Sequence, residues 1–554
     1  MNPTHQSSKT LTKSPAWSRR EWIKSGLFTT GAMWAGTGVA RAQHAGNPLR
    51  LPADWTGGEL VVSQTTLEVW PGRSTTVLAI NGMMPGPTIR LRRGDRFEAV
   101  VRNQLPSQDL VLHWHGLLAP AAGDGHPSQA VASGEAYQVA FDIAQDPSLC
   151  WYHAHTHDHT AEQVYKGLAG LFLIEDPERD EELGLPTGAR DIPLVIRDWK
   201  SNAGFEFTYN PTMFEHMWGF LGNQILVNGT PNAWHSVDQG MWRFRMLNGS
   251  NARVLRIGFA DARPMHVFAG EGGFTGMFET VSHFDLSPGQ RVEVLVSFAN
   301  LAVGSSAVLR SLFFPITAPA GGPAGPRQGD ELDIMTFHVD HPGSADPLPA
   351  PPPAPVLVEP SLAARTRTFA LGVLNGQHTI NGQVYDLDRI DFRVPAGEIE
   401  IWEFVNQTAN FHPMHVHGVF FRVLSRNGVP ALLPADRGWR DTVLVYPNET
   451  VRVAMAFGAR TGEYLMHCHN LEHEHEMMVN FEVDAAVPPE LTIEHHGQEV
   501  ICRWRAESAG WILESSDDLQ EWIRETGLPV IANGLLEWRQ SATATRRFFR
   551  LALP

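Results

Sequence analysis

Short runs in which apolar and polar residues alternate, such as Arg96-Phe97-Glu98-Ala99-Val100-Val101, recur along the chain and are punctuated by Gly, Pro and Asn. Alternation with period two puts every second side chain on one face of an extended strand, so these runs predict the half-buried strands of antiparallel β-sandwiches. Long helical periodicity is scarce, and the fold class read from the pattern is all-β.

One phrase occurs three times: Ile80-Asn81-Gly82, Val227-Asn228-Gly229 and Ile380-Asn381-Gly382. Each precedes a Gly-containing turn and a strand-like run ending in Asn, namely 94–103, 240–248 and 397–406. The Asn of the phrase recurs after 147 and then 153 residues, the length of one compact domain. Three related domains are therefore expected, over 47–180, 190–343 and 356–485, with the Pro-rich stretch around 347–355 as the linker before the third. Residues 490–554 alternate as well, and predict a small β-module with a modest core.

The N-terminus reads as an address. Ser18-Arg19-Arg20-Glu21-Trp22-Ile23-Lys24, a weakly apolar run over 25–39 and Ala40-Arg41-Ala42 form a signal peptide over residues 1–42, with the paired arginines of the twin-arginine type. That type implies the Tat export machinery as partner and a mature chain, periplasmic or secreted, that begins near Gln43. No other stretch reaches the roughly 18 apolar residues of a membrane span.

Forty-three basic against sixty acidic residues leave a net charge of −17, which disfavours binding to nucleic acid or to an anionic membrane. Three cysteines, Cys150, Cys468 and Cys502, cannot supply a disulfide framework. Twenty-five histidines are the anomaly, because imidazole is the commonest metal-binding side chain.

Many of them cluster. The first repeat holds His113-Trp114-His115 and His153-Ala154-His155; the third holds His412-Pro413-Met414-His415-Val416-His417 and His467-Cys468-His469 followed by His473. In a strand, residues i and i+2 share a face, so four H-x-H pairs aim eight imidazoles at common space. A single zinc takes four ligands, so eight imply several ions. Cys468 lies between His467 and His469 and faces away from both. With His412, His473 and a nearby Met it makes the ligand set of a blue-copper centre.

These motifs resemble the multicopper oxidases, the family of laccases, bilirubin oxidases and bacterial cuprous oxidases, over roughly residues 50–484. The resemblance implies three cupredoxin-like Greek-key β-sandwich domains and four copper ions: one type 1, one type 2 and two type 3. Motif by motif, His412, Cys468 and His473 match the type 1 ligands, and His113 with His415 the type 2 pair. His115, His153, His155, His417, His467 and His469 match the type 3 ligands. The axial Met falls on Met478 by its five-residue spacing from His473, or on Met477 if the strand Val479-Asn480-Phe481 sets the alignment; Met478 is the expected ligand. Asp124 and Glu474 match acidic proton donors of bacterial relatives, and Asp441 is a candidate for orienting a ligand or lining the rim of the type 1 site.

The implied activity is one-electron oxidation of phenolic or aromatic donors, laccase-like, coupled to reduction of dioxygen to water. A type 1 site near the surface, reached by His412 and His473 from loops, is expected. Oxidation of Cu(I), Fe(II) or Mn(II) is the alternative; Met213, His216 and Met217 form only a small Met/His group. A copper-free scaffold of the same fold, as among certain cell-division relatives, is the rival of another class, and intact ligands count against it. His157, His159 and His475 flank the clusters and read as neighbours of ligands or exposed residues. Isolated His216, His235, His266, His283, His341, His495 and His496 read as structural or solvated, and Cys150 and Cys502 as small buried hydrophobes.

Overall fold

The computed structural model describes residues 44–553 apart from 201, 317–324, 486–487, 506–509, 526, 528 and 542–546. The paired arginines and the Ala40-Arg41-Ala42 site lie outside the described residues. Every described α-helix is short, the longest being Thr160–Lys166. Among the described residues no helix is long and apolar enough to cross a membrane.

Strands dominate, arranged as sheet pairs in chain order. The first pair joins the sheet of Gly58–Trp70, Arg73–Ile80, Arg96–Gln104 and Ala136–Asp142 to that of Gly86–Leu91, Leu112–His113, Ser148–Ala154 and Ala169–Ile174. A six-stranded and a seven-stranded sheet follow, then two five-stranded sheets. Each pair encloses its own core. Phe97 packs on Trp114 and Phe172 in the first, Phe244 on Phe337 in the second, and Trp402 on Phe369 and Phe481 in the third. Full burial of one such ring contributes about 1.5–3 kcal/mol.

The repeated phrase has one structural meaning in all three places. Asn81, Asn228 and Asn381 adopt φ of 51, 49 and 55°, each followed by a Gly at 71–74°, the left-handed pair that a tight hairpin requires. Each side-chain oxygen accepts from a backbone N–H: that of Val61 at 2.7 Å, of Val195 at 2.7 Å and of Ala370 at 2.8 Å. The Asn ending each second run, Asn103, Asn248 and Asn406, donates through Nδ2 to two or more carbonyls across the loop it closes.

The sheets are mixed rather than antiparallel throughout. Gly58–Trp70 runs parallel to Arg96–Gln104, Asp191–Trp199 to Met241–Asn248, and Arg365–Leu374 to Ile399–Asn406. Alternation reports which face a strand buries, not the direction of its neighbour, so this distinction was beyond the pattern. Asn47–Pro48 pairs not with the first sandwich but with Ala233–Asp238 in the second, where it covers an edge strand.

Residues from 492 onward form a four-stranded and a three-stranded sheet around Cys502, Trp504, Leu513 and Trp538. The module touches the third sandwich at Gly397, whose carbonyl accepts from the N–H of Gly510 at 2.9 Å.

Candidate metal centre

Cross-strand register builds the site. His113 pairs with His153, and His415 with His467, while Met414 pairs with Cys468 one position along. Opposed residues share a face, so His415 and His467 look one way and Met414 and Cys468 the other. All eight H-x-H imidazoles are buried, at most 1% exposed, and they converge from both ends of the chain.

His113 and His415 direct their Nδ1–H groups at the carbonyls of Asp124 (2.7 Å) and Asp441 (2.9 Å). Their Nε2 atoms then face each other at 3.3 Å. Nε2 of His467 lies 3.1 Å from that of His417 and 3.3 Å from that of His155, and the ligand atoms of these three fall within 4.8 Å of one another. The rings of His115, His153 and His469 form a triangle with centroids 5.0–5.6 Å apart. In that triangle Nδ1 of His115, Nε2 of His153 and both nitrogens of His469 are buried with no hydrogen-bond partner. Lone pairs that face each other, and buried nitrogens without partners, cost free energy unless a cation lies between them. The residues therefore fit a bound metal cluster.

Burial lowers the pKa of His113, His115, His155, His417, His467 and His469 well below the usual value, and takes His153 down to about 3. Neighbouring imidazoles push the same way in each case. These seven imidazoles are thus neutral at physiological pH and offer lone pairs rather than protons.

Cys468 stands on the opposite face. Its Sγ lies 3.4 Å from Nδ1 of His412 and 3.8 Å from Nδ1 of His473, and all three are fully buried. The far nitrogen of His412 meets Oγ1 of Thr408 at 2.8 Å, and that of His473 meets the Asn470 side chain at 3.1 Å. Burial drives the Cys468 thiol pKa up and that of His412 down to about 3, so the thiol sheds its proton only when a cation replaces it.

Two expectations need correcting. Met478 does not face the thiol: it opposes His467 in the ladder and packs with Leu465 and Tyr385. Met477 shares the buried cluster of Cys468 and Met414, and its carbonyl accepts from the Cys468 N–H at 3.0 Å. Side-chain alternation along the strand decides the matter against the five-residue spacing, so Met477 is the axial candidate. The second correction concerns access. His412 lies in the strand His412–Val416 and His473 in the helix Leu471–Glu474, not in loops, and neither is exposed. The helix Met213–Trp218 lies against Leu471–Glu474, and the Met217 carbonyl accepts from Nδ2 of Asn410 at 2.7 Å.

Both acidic candidates touch the eight-imidazole pocket. Oδ2 of Asp124 accepts from Nδ1 of His417 at 2.7 Å, and Oε1 of Glu474 lies 3.1 Å from Nε2 of His155. Burial raises both carboxyl pKa values well above the ordinary range. Asp441 accepts from both guanidinium nitrogens of Arg291, at 2.7 and 2.6 Å, and lies 3.1 Å from Nε2 of His115. Burial alone would raise its pKa, but the Arg291 charge and the His115 contact prevail and hold it well below the usual value.

Sequence reading missed Arg291, which comes from the second sandwich and also donates to the carbonyls of Leu149 and Gly289. It missed Glu271, whose carboxylate accepts from the N–H groups of Asp441, Thr442 and Arg291. It missed His378, which stacks on His473 at 3.7 Å. None stands in an H-x-H pair, so no local signal marks them. Gly289 shows how closely the second sandwich approaches: at φ 81°, a Cβ there would meet the rings of His469 and His115 at 3.0–3.1 Å.

A three-sandwich protein with one Cys/His₂/Met pocket and an adjoining eight-imidazole pocket belongs to the copper-binding cupredoxin class. Multicopper oxidase family models match residues 61–179 and 350–487. The multicopper oxidase mco of Staphylococcus haemolyticus is 30% identical over 74% of this chain and 85% of its own length. The cell division protein FtsP of Escherichia coli is 32% identical over 80% of this chain and 92% of its own. The crystal structure of the McoA multicopper oxidase from the hyperthermophile Aquifex aeolicus superposes with a TM-score of 0.72 at 34% identity, over 80% of this chain and all of that one. The chain belongs to the multicopper oxidase family.

Proposed function

We propose that this family member is an exported, laccase-like oxidase that takes single electrons from phenolic or aromatic donors, with dioxygen as the acceptor. The observation that carries this reading is the complete donor set: Cys468 beside His412 and His473, flanked in the chain by His467 and His469 of the eight-imidazole pocket. A copper-free scaffold role gives no reason to keep ten imidazoles convergent at the cost of burying them.

Copper bound at these pockets, four ions in this proposal, supplies one-electron acceptance at the Cys468 pocket and four-electron reduction of dioxygen at the other. The chain's own residues do the rest. His467-Cys468-His469 ties the pockets together through two peptide units. Oδ2 of Asp124 accepts from His417 while burial raises the carboxyl pKa and favours a proton on the unpartnered Oδ1, beside the pocket. Glu474, its pKa raised in the same way beside His155, borders a cavity of about 170 Å³ that also reaches His157, Asp158 and His216, a path for proton resupply. Arg291 and Asp441 orient His115.

Metal-ion oxidation is the second reading. It draws on the Met213–Trp218 helix, which sets Met213, His216 and Met217 next to the segment carrying His473. Export through the twin-arginine route to the periplasm or beyond is proposed with either.

The test is copper content together with oxygen consumption against phenols, cuprous, ferrous and manganous ions. About four coppers per chain with turnover of phenols is the expected result. A protein that takes up no copper would overturn the oxidase reading, and turnover of metal ions alone would overturn the laccase-like one.

A further inference from the structure

Most buried arginines of this protein meet carboxylates. Arg243 pairs with Glu293 at 2.5 Å, Arg245 with Asp191 at 2.6 Å, Arg253 with Asp198 at 2.9 Å, Arg291 with Asp441 at 2.6 Å and Arg426 with Asp436 at 2.8 Å. Two depart from this pattern: Arg197, which donates to the Tyr165 carbonyl inside the protein, and Arg460. Arg460 is half-buried, in the loop between the strands Thr450–Ala456 and Gly462–Cys468, and forms no ion pair among the described residues. Burial depresses its pKa, the mark of a guanidinium short of counter-charge.

Arg460 borders a cavity of about 260 Å³ built by all three sandwiches. Phe420, Trp439, Phe457 and Tyr464 supply aromatic surface. The other charged groups there, Arg93 and Asp146, neutralise each other across 2.7 Å, so the cavity carries one uncompensated positive charge. Its inner wall includes His417 and Gly418, which also border a smaller gap lined by His113, His415 and Asp441. The outer cavity thus opens toward the eight-imidazole pocket, on the side of His417 and Asp124 rather than that of Glu474.

We propose that this cavity binds a one-ring aromatic monoanion, with the carboxylate on Arg460 and the ring among Phe420, Trp439 and Tyr464. A guanidinium fork matches a carboxylate in a bidentate pair, and aromatic walls favour a planar apolar body. The volume falls below the roughly 300–1,000 Å³ of drug-sized sites, which restricts the ligand to one ring. Such a ligand lies between solvent and His417. It therefore slows reoxidation of the enzyme by dioxygen while leaving the donor's delivery of electrons at the Cys468 pocket untouched.

Calorimetric titration of the copper-loaded protein with benzoate, and with the neutral isostere benzamide, tests the proposal. Benzoate should bind at least about tenfold more tightly than benzamide, a difference of about 1.4 kcal/mol. Arg460→Gln should remove that preference with melting temperature and copper content unchanged. Should Arg460→Gln not fold, Arg460→Lys should weaken benzoate by about threefold or more, because the fork is lost. In stopped flow, benzoate should slow reoxidation without changing anaerobic reduction by the donor. Absence of benzoate binding, equal affinity for benzamide, unaltered binding in the variant that folds, or inhibition competitive with the donor would each overturn it.

Discussion

Asp124 and His417 stand 293 positions apart, yet Oδ2 of the first accepts a hydrogen bond from Nδ1 of the second at 2.7 Å, in a setting that excludes water from both. The bond fixes the tautomer of His417, so its Nε2 turns into the pocket, and it leaves Oδ1 of Asp124 without a partner. Burial raises the pKa of a carboxyl so placed and favours its protonated form, so both an orienting and a proton-donating role follow from one contact.

Asp124→Asn preserves the acceptor for His417 but removes the ionisable proton. Reoxidation by dioxygen should slow by about a hundredfold, the lower end for loss of a positioned acid, while anaerobic reduction of the Cys468 pocket stays unchanged. Stopped-flow absorbance of the two half-reactions checks this. Because the carboxyl pKa is raised in the fold, ionisation opposes folding as pH rises, so the same variant should melt at a higher temperature than the parent when both are copper-free at pH 7.

Cys468→Ser removes the thiolate from a pocket that is otherwise packed shut. The blue absorption and one bound copper per chain should be lost, with the far-ultraviolet circular dichroism unchanged. Normal oxidation of phenols by this variant would contradict the assignment.

Met477→Leu and Met478→Leu separate the two thioethers. The first removes the group that shares the Cys468 cluster and should raise the reduction potential of the blue centre, since a thioether stabilises the oxidised ion. The second should leave the potential as it was, which redox titration of the visible band would show.

Arg291→Gln strands the Asp441 carboxylate in a buried site. Leaving one half of such a pair costs about 3–5 kcal/mol, so the melting temperature should fall. The eight-imidazole pocket should lose copper while the blue band remains, a split that copper analysis and electron paramagnetic resonance detect and a general loss of fold would not produce.

Acid should destabilise the copper-free protein. His153 and His412 have native pKa values of about 3. An unfolded histidine titrates near 6.5, so between these values the unfolded chain binds more protons and stability falls as pH falls. Each contributes a loss of about 2 kcal/mol by pH 5, and none above about pH 7. Melting curves of the copper-free protein from pH 7.5 to 5 measure the slope, and bound copper should flatten it.

Local sequence determined much of this protein. Asn-Gly pairs at 81, 228 and 381 dictate their hairpins, because φ above zero at two consecutive positions leaves few alternatives. Period-two spacing anticipated that His467 and His469 serve one pocket and Cys468 the other, although the strand ends at Cys468 and His469 follows just beyond it. Tertiary structure alone decided what depends on register and on contact across sandwiches. Met477 rather than Met478 shares the core that holds Cys468, because the ladder sets Met478 opposite His467. Arg291 reaches Asp441, 150 positions away, because the second sandwich packs against the pocket that the first and third share. Arg460 lacks a carboxylate because of what the folded neighbourhood leaves out, and no spacing of letters along a chain records an omission in space.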